Sequence, residues 1–169
     1  MDKTITTALL IIVSMVMVLM LFNIAYPAIV EGGDAITGMA NRESARMGSQ
    51  IAIIHCAGEL DADGNWQDGN YNGEFEVFAW VKNTGDSRIT ALDNMDVFFG
   101  AEGAHMRIPH QSETAAYPYW TWQIENASDW SPTATARITV HYGAPLAQGR
   151  YFLRVTTANG IADDAFMGM

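Results

Sequence analysis

Four histidines, one cysteine and a few acidic turns are the residues of this chain whose types could support chemistry. His55, His105, His110 and His141 lie in different segments, with no pair at i, i+4, the spacing that puts two imidazoles on one helix face for a metal. His55 and Cys56 are adjacent, as a base and a nucleophile would be, but a lone cysteine more commonly packs as a small hydrophobe. It also excludes a disulfide within the chain. Asp61-Ala-Asp63-Gly64-Asn65 sets oxygens at alternate positions, as a Ca²⁺ loop does. An EF-hand loop would want Gly at position 66 and Glu at 72, where Trp66 and Asn72 stand. Asp61, Asp63 and Asn65 are therefore a weak Ca²⁺ candidate, and an acidic turn is the simpler reading. Asn126-Ala-Ser128 is a glycosylation sequon, with Asn126 as the acceptor. Tyr117-Pro-Tyr119-Trp120-Thr-Trp122, with Trp130, could stack on sugars; core on one face and an interface on the other is the preferred assignment. There is no Gly-x-Ser-x-Gly, phosphate loop or zinc spacing, so no enzyme and no further cofactor is expected.

Charge excludes another class. The 169 residues carry a formal net charge of −10, and Lys3 and Lys82 are the lysines. Nucleic acid is bound by basic patches, which this composition does not supply.

The elements that position these residues divide into two kinds. Thr4 to Val30 is free of charge, and Ala8 to Phe22 is nearly continuous hydrocarbon. About 20 apolar residues span a bilayer as a helix. A cleaved signal is not expected: such an apolar core is shorter, Asp2 cancels Lys3, and Ala25-Tyr-Pro-Ala28 is a poor cleavage site. Pro27 would kink the helix or open a second stretch. Ile29, Ile36, Ala40, Met47, Ile51 and Ile54 continue at helical steps, which predicts helix to about Ile54. Residues 1–55 are thus read as one long hydrophobic helix, and 56–169 as a separate domain.

In the second part the code changes. Asp63-Gly64-Asn65 and Asp68-Gly69-Asn70 are turn chemistry. Strands are predicted at Glu74–Val81, Met95–Phe99, His105–Ile108, Tyr119–Ile124, Ala134–Tyr142 and Gly149–Thr157. Asn159-Gly160 signals a hairpin. Short strands at even spacing make the class α+β, with an immunoglobulin-like antiparallel β-sandwich after the helix.

A hydrophobic N-terminal helix running into a sandwich, with Val81-Lys-Asn-Thr-Gly85, Met95-Asp-Val-Phe-Phe99 and Gly149-Arg-Tyr-Phe-Leu-Arg-Val-Thr-Thr-Ala-Asn-Gly160, resembles the archaellins, subunits of the archaeal motility filament, and the accessory proteins near their motor. Family precursors carry a short basic leader cut after a glycine. None is visible before this run, which fits a mature chain or a different route of insertion. Ile5 stands where bacterial pilins have glutamate. The resemblance implies a membrane-inserted subunit, handled by an assembly machinery and withdrawn into an extracellular homopolymer for motility or adhesion. Its filament core would include Leu10, Val13, Met17, Met20 and Phe22, with methionines filling inequivalent contacts. Two other functions remain open: an accessory stator that keeps its helix in the membrane and holds a partner with its sandwich, and a membrane-anchored module for surface glycan.

Overall fold

The structure, a computed structural model, describes residues 2–61 and 63–169. Helix α1 covers Asp2–Met47 and contains Pro27. Eight strands follow: β1 Ile51–Gly58, β2 Phe75–Asn83, β3 Asp96–Ala101, β4 Met106–Ile108, β5 Tyr119–Ile124, β6 Thr135–Tyr142, β7 Arg150–Thr156 and β8 Ala162–Gly168. The chain divides into two compact units between Glu43 and Ser44, ahead of the boundary expected at residue 56.

Within α1, every residue from Lys3 to Ser44 is exposed. The apolar run continues through Pro27, whose ring removes one backbone donor from the ladder without ending the helix. Three of its hydroxyls bond back to the helix: Thr7 Oγ1 donates to Lys3 O at 2.7 Å, Ser14 Oγ to Ile11 O at 2.8 Å and Thr37 Oγ1 to Gly33 O at 2.9 Å. A polar side chain bonded to its own helix costs little in an apolar medium.

The helix stops at Met47, and this corrects the prediction of helix to Ile54. Ile51 and Ile54 fit a helical step, but Ile51-Ala-Ile-Ile54 is equally β-prone, because branched side chains suit a pleated surface. Long-range hydrogen bonds decide between the two. Gly48 O accepts from the N–H groups of Asp86 (2.8 Å) and Ser87 (3.0 Å), and Gln50 O from Thr84 (2.9 Å) and Gly85 (3.2 Å). A side chain on Gly85 would collide with the backbone of residues 48–50. The 84–87 turn therefore satisfies carbonyls that would otherwise continue the helix, and it launches β1. A bulge between Ile53 and His55 then turns Ile54 outward.

Two four-stranded sheets, all pairs antiparallel, run in the orders β1-β2-β6-β5 and β4-β3-β7-β8. One long apolar helix before two packed antiparallel sheets is the α+β architecture expected. Alternation sorts the faces. Val77, Ala79 and Val81 of β2, Ala136, Ile138 and Val140 of β6, and Val97, Phe99, Leu153 and Val155 of the opposite sheet are buried in one core with Trp120 and Trp130. β8, Ala-Asp-Asp-Ala-Phe-Met-Gly, has no β-branched residue; pairing with β7 from Arg150↔Gly168 to Thr156↔Ala162 makes it a strand. Gly160, at φ 83°, supplies the left-handed turn between them.

Asn83 is the polar pin of this unit. It is fully buried. Its Nδ2 donates to Ser87 O (2.9 Å) and Trp130 O (3.0 Å), and its Oδ1 accepts from Gly85 N–H (3.0 Å). The Lys-Asn-Thr-Gly run thus has a structural role: one amide ties the 84–87 turn to the backbone at Trp130.

Candidate functional site

Two surfaces stand out, one on each unit. The first is the apolar helix. Leu10, Val13, Met17, Met20 and Phe22 are each more than half exposed, as are Leu9, Ile11, Ile12, Val16 and Val18 around the other sides. Phe22 stacks on Tyr26 one turn later, with centroids 5.6 Å apart. Among the described residues this is the one helix long and apolar enough to cross a membrane. Hydrocarbon exposed on all sides of a helix calls for lipid or other helices as solvent.

The second surface is a polar cluster on the outer face of the β1-β2-β6-β5 sheet. Glu74 and Glu76 flank Phe75 at the start of β2, so the strand period of two puts both carboxylates on the face opposite the core. His141 sits on the central strand β6, directly across from Glu76 on one side and Tyr119 on the other. Its Nδ1 lies 2.7 Å from Glu74 Oε2 and 3.2 Å from Glu76 Oε1. Glu76 is 6% exposed. The histidine ring stacks on Tyr119 (centroids 4.7 Å, planes 17° apart), which stacks on Tyr117 (5.5 Å).

The surrounding groups hold this cluster in place. Both tyrosine hydroxyls donate to Glu74 Oε1. Asn70 Nδ2 donates to Glu76 Oε2 at 2.9 Å and Asn72 Nδ2 to Glu76 Oε1 at 3.3 Å. Thr121 Oγ1 is 3.0 Å from His141 Nε2. The two asparagines come from the loop before β2, which is knitted by side chain-to-backbone bonds: Asp68 Oδ1 and Oδ2 accept from the N–H groups of Asn72 and Gly73, and Glu59 Oε1 from Gly69 N–H. Burial pushes the Glu74 carboxyl up, but the bonds from Tyr117 and His141 outweigh it and leave it below the ordinary carboxylate value. The same bond to Glu74 raises the Tyr117 phenol to about 12. A groove of about 440 Å³ adjoins the cluster, bounded by Glu59, Asn70, Glu76, Arg137 and His141.

The residues singled out in the sequence are distributed differently. Asp61, Asp63 and Asn65 form a turn closed on itself: Asp61 Oδ1 accepts from both Asp63 N–H (2.9 Å) and Asn65 N–H (2.8 Å). The Asn65 amide bond leads in holding the Asp61 carboxyl low, and with the Asp63 bond it outweighs the opposing effect of desolvation. Ala62 lies outside the described residues. Asn126 is exposed after β5, with Oδ1 accepting from Thr135 N–H at 2.9 Å. Of the aromatic cluster, Trp120 and Trp130 belong to the core, and Trp122 turns outward to donate from Nε1 to Asp93 at 2.7 Å. Cys56 is half-buried in β1, and burial, then Asp163, push its thiol up to about 11. His55 packs on Trp80 and His105 on Phe152; His110 bonds Ser112 and lies edge-on to Trp120. The grouping of Glu74, Glu76 and His141 is absent from the sequence reading. Glu-x-Glu at the head of one strand and His on the polar face of another were its only signals, and the β2–β6 register was needed to join them.

No protein-family model matches this chain, and no curated protein does. Solved structures share its fold. One is the archaellum periplasmic stator protein FlaG from Sulfolobus acidocaldarius, at 22% identity and a TM-score of 0.54, covering 70% of this chain and 99% of that one. Another is the archaellum periplasmic stator protein complex FlaF and FlaG from the same organism, at 23% identity and 0.53, covering 70% and 88%. At these identities the likeness is one of fold.

Proposed function

We propose that this chain is a membrane-held accessory protein of an archaellum-type motility machine, acting as a stator component rather than as a filament subunit. The observation that carries the reading is the fold match to a periplasmic stator protein over 99% of that protein's chain. The motifs Val81–Gly85 and Gly149–Gly160 point toward the same organelle.

The division of labour follows from the two units. Thr4 to Val30, about 40 Å long at 1.5 Å per residue, anchors the chain in the cytoplasmic membrane. The sandwich lies outside the cell membrane and bears load against a fixed partner. An antiparallel sandwich suits that task, because its strands are cross-linked by rows of hydrogen bonds and its core is continuous. The neighbouring structure solved as a complex of two stator proteins supports a second chain as that partner. Catalysis has no part in this function.

The filament-subunit reading rests on the helix, which is apolar on every side as a polymer core would be. An anchor in lipid accounts for the same surface, and the shared fold supports the anchor.

Membrane topology tests the proposal. Carbonate-washed membranes should retain the chain. Protease added to cells stripped of their outer layer should remove the sandwich and leave a fragment containing residues 4–30. A chain released by carbonate, or a sandwich protected until the membrane is dissolved, would overturn it.

A further inference from the structure

We propose that Glu74, Glu76 and His141 bind one divalent first-row transition metal ion, of which Zn²⁺ is the representative, at the outer face of the sandwich. The three potential ligand atoms lie within 4.8 Å of one another. The site is independent of the stator assignment.

Each ligand has its other polar atom engaged. Glu74 gives Oε1 to Tyr117 and Tyr119 and directs Oε2 at the cluster. Glu76 gives Oε2 to Asn70 and turns Oε1, which also accepts from Asn72 Nδ2 at 3.3 Å, toward His141. His141 gives Nε2 to Thr121 and directs Nδ1 inward. This is how outer groups orient metal ligands and fix the histidine tautomer. His141 Nδ1 shares a proton with Glu74 Oε2 and lies 3.2 Å from Glu76 Oε1, and that proton stands where an ion would replace it among the three atoms.

Charge leads to the same conclusion. Two carboxylates, one of them 6% exposed, share the site. Buried carboxylates are costly unless paired. Arg137, the guanidinium lining the adjoining groove, is engaged with Glu125 at 3.2 Å and Gln123 at 2.8 Å. Bonds of about 2.0–2.1 Å in a tetrahedron put ligand atoms about 3.3 Å apart. The separations of 2.7 and 3.2 Å from His141 Nδ1 lie just below that value, and all three atoms are within 4.8 Å of one another. One imidazole with two carboxylates suits zinc and its neighbours. Calcium wants six to eight oxygens, more than two part-committed carboxylates offer. The ion would fasten the loop bearing Asn70 and Asn72, and the Tyr117–Tyr119 segment, to the sheet.

The test is calorimetric titration of the full chain in detergent, stripped of metal with EDTA, with Zn²⁺ as probe and Ca²⁺ as comparison. One Zn²⁺ should bind per chain, with Ca²⁺ far weaker. Glu74→Gln, whose fold is checked by circular dichroism, should weaken Zn²⁺ binding by roughly ten-fold or more. Asp61→Asn should leave it unchanged. Co²⁺ in place of Zn²⁺ should give the visible absorption of a low-coordinate site, lost in Glu74→Gln. Absence of stoichiometric Zn²⁺ binding, equal affinity in Glu74→Gln, or loss of binding in Asp61→Asn would each overturn the proposal.

Discussion

Replacing Asn83 with alanine should cost the sandwich about 3 kcal/mol. The fully buried side chain makes three hydrogen bonds, each worth about 1 kcal/mol net. What each partner has left sets the magnitude. Trp130 O keeps Ile89 N–H at 3.1 Å, and Gly85 N–H keeps Gln50 O at 3.2 Å, so neither is stranded. Ser87 O loses the bond but is only half-buried, which lets water reach it. The sum therefore stays near three single bonds and does not climb toward the cost of several orphaned groups. Asparagine to aspartate differs in sign at one atom. It keeps the acceptor for Gly85 and turns the donor into an oxygen facing two carbonyls, with a charge in the core. Asn83→Asp should cost more than Asn83→Ala at pH 7 and recover part of the loss near pH 4, where the carboxyl is neutral. Thermal unfolding of the full chain in detergent, followed by fluorescence of the buried Trp120 and Trp130, measures this. A loss of about 3 kcal/mol corresponds to a fall in Tm of about 10–15 °C for a unit of this size. A cost below about 1 kcal/mol for the alanine variant, or equal and pH-independent costs for the two, would refute the reasoning.

Met17→Asp should reduce the carbonate-resistant membrane fraction while leaving the sandwich folded by circular dichroism, because a carboxylate at mid-span costs about 3 kcal/mol on insertion; undiminished retention would count against a transmembrane helix. Arg107 binds Glu113 through both guanidinium Nη atoms at 3.0 and 2.9 Å and Asp96 at 2.6 Å, and its bond holds the Glu113 carboxyl below its usual 4.5. The stability from Glu113 is complete above 4.5 and is lost as pH falls through its lower folded value, so Tm should fall less between pH 5 and pH 3 in Glu113→Gln than in the parent; parallel profiles would contradict this. Asn126 is exposed, with Nδ2 unconsumed by the Thr135 bond, and intact-mass analysis of native protein should find a glycan there; an unmodified peptide would leave Asn126 as a turn former.

The parts of the fold that local chemistry controls were legible in the residues. An uninterrupted apolar run makes a helix wherever it is solvated, and Ala134 to Tyr142 alternates so regularly that only a half-buried strand fits. β1 reads as helix in its first residues because Ile51 and Ile54 keep a helical step while their branched side chains suit a strand equally; the carbonyls of Gly48 and Gln50 and the remote 84–87 turn break the tie. β8 has no propensity of its own and exists through β7. Asn83 stands in the Val81–Gly85 motif, but its service to Trp130 O spans 47 positions of sequence and appears only in the fold. The same holds for the cluster of Glu74, Glu76 and His141, which strand register assembles.

Shearing separates the two readings of the helix most directly. Cells expressing the chain at its native level are sheared, and filaments and membranes are compared by quantitative peptide mass spectrometry. A membrane-held stator component stays with the membranes, and its peptides are at trace level in the filaments. A chain that dominates the filament fraction by mass would be a polymer subunit and would contradict the account.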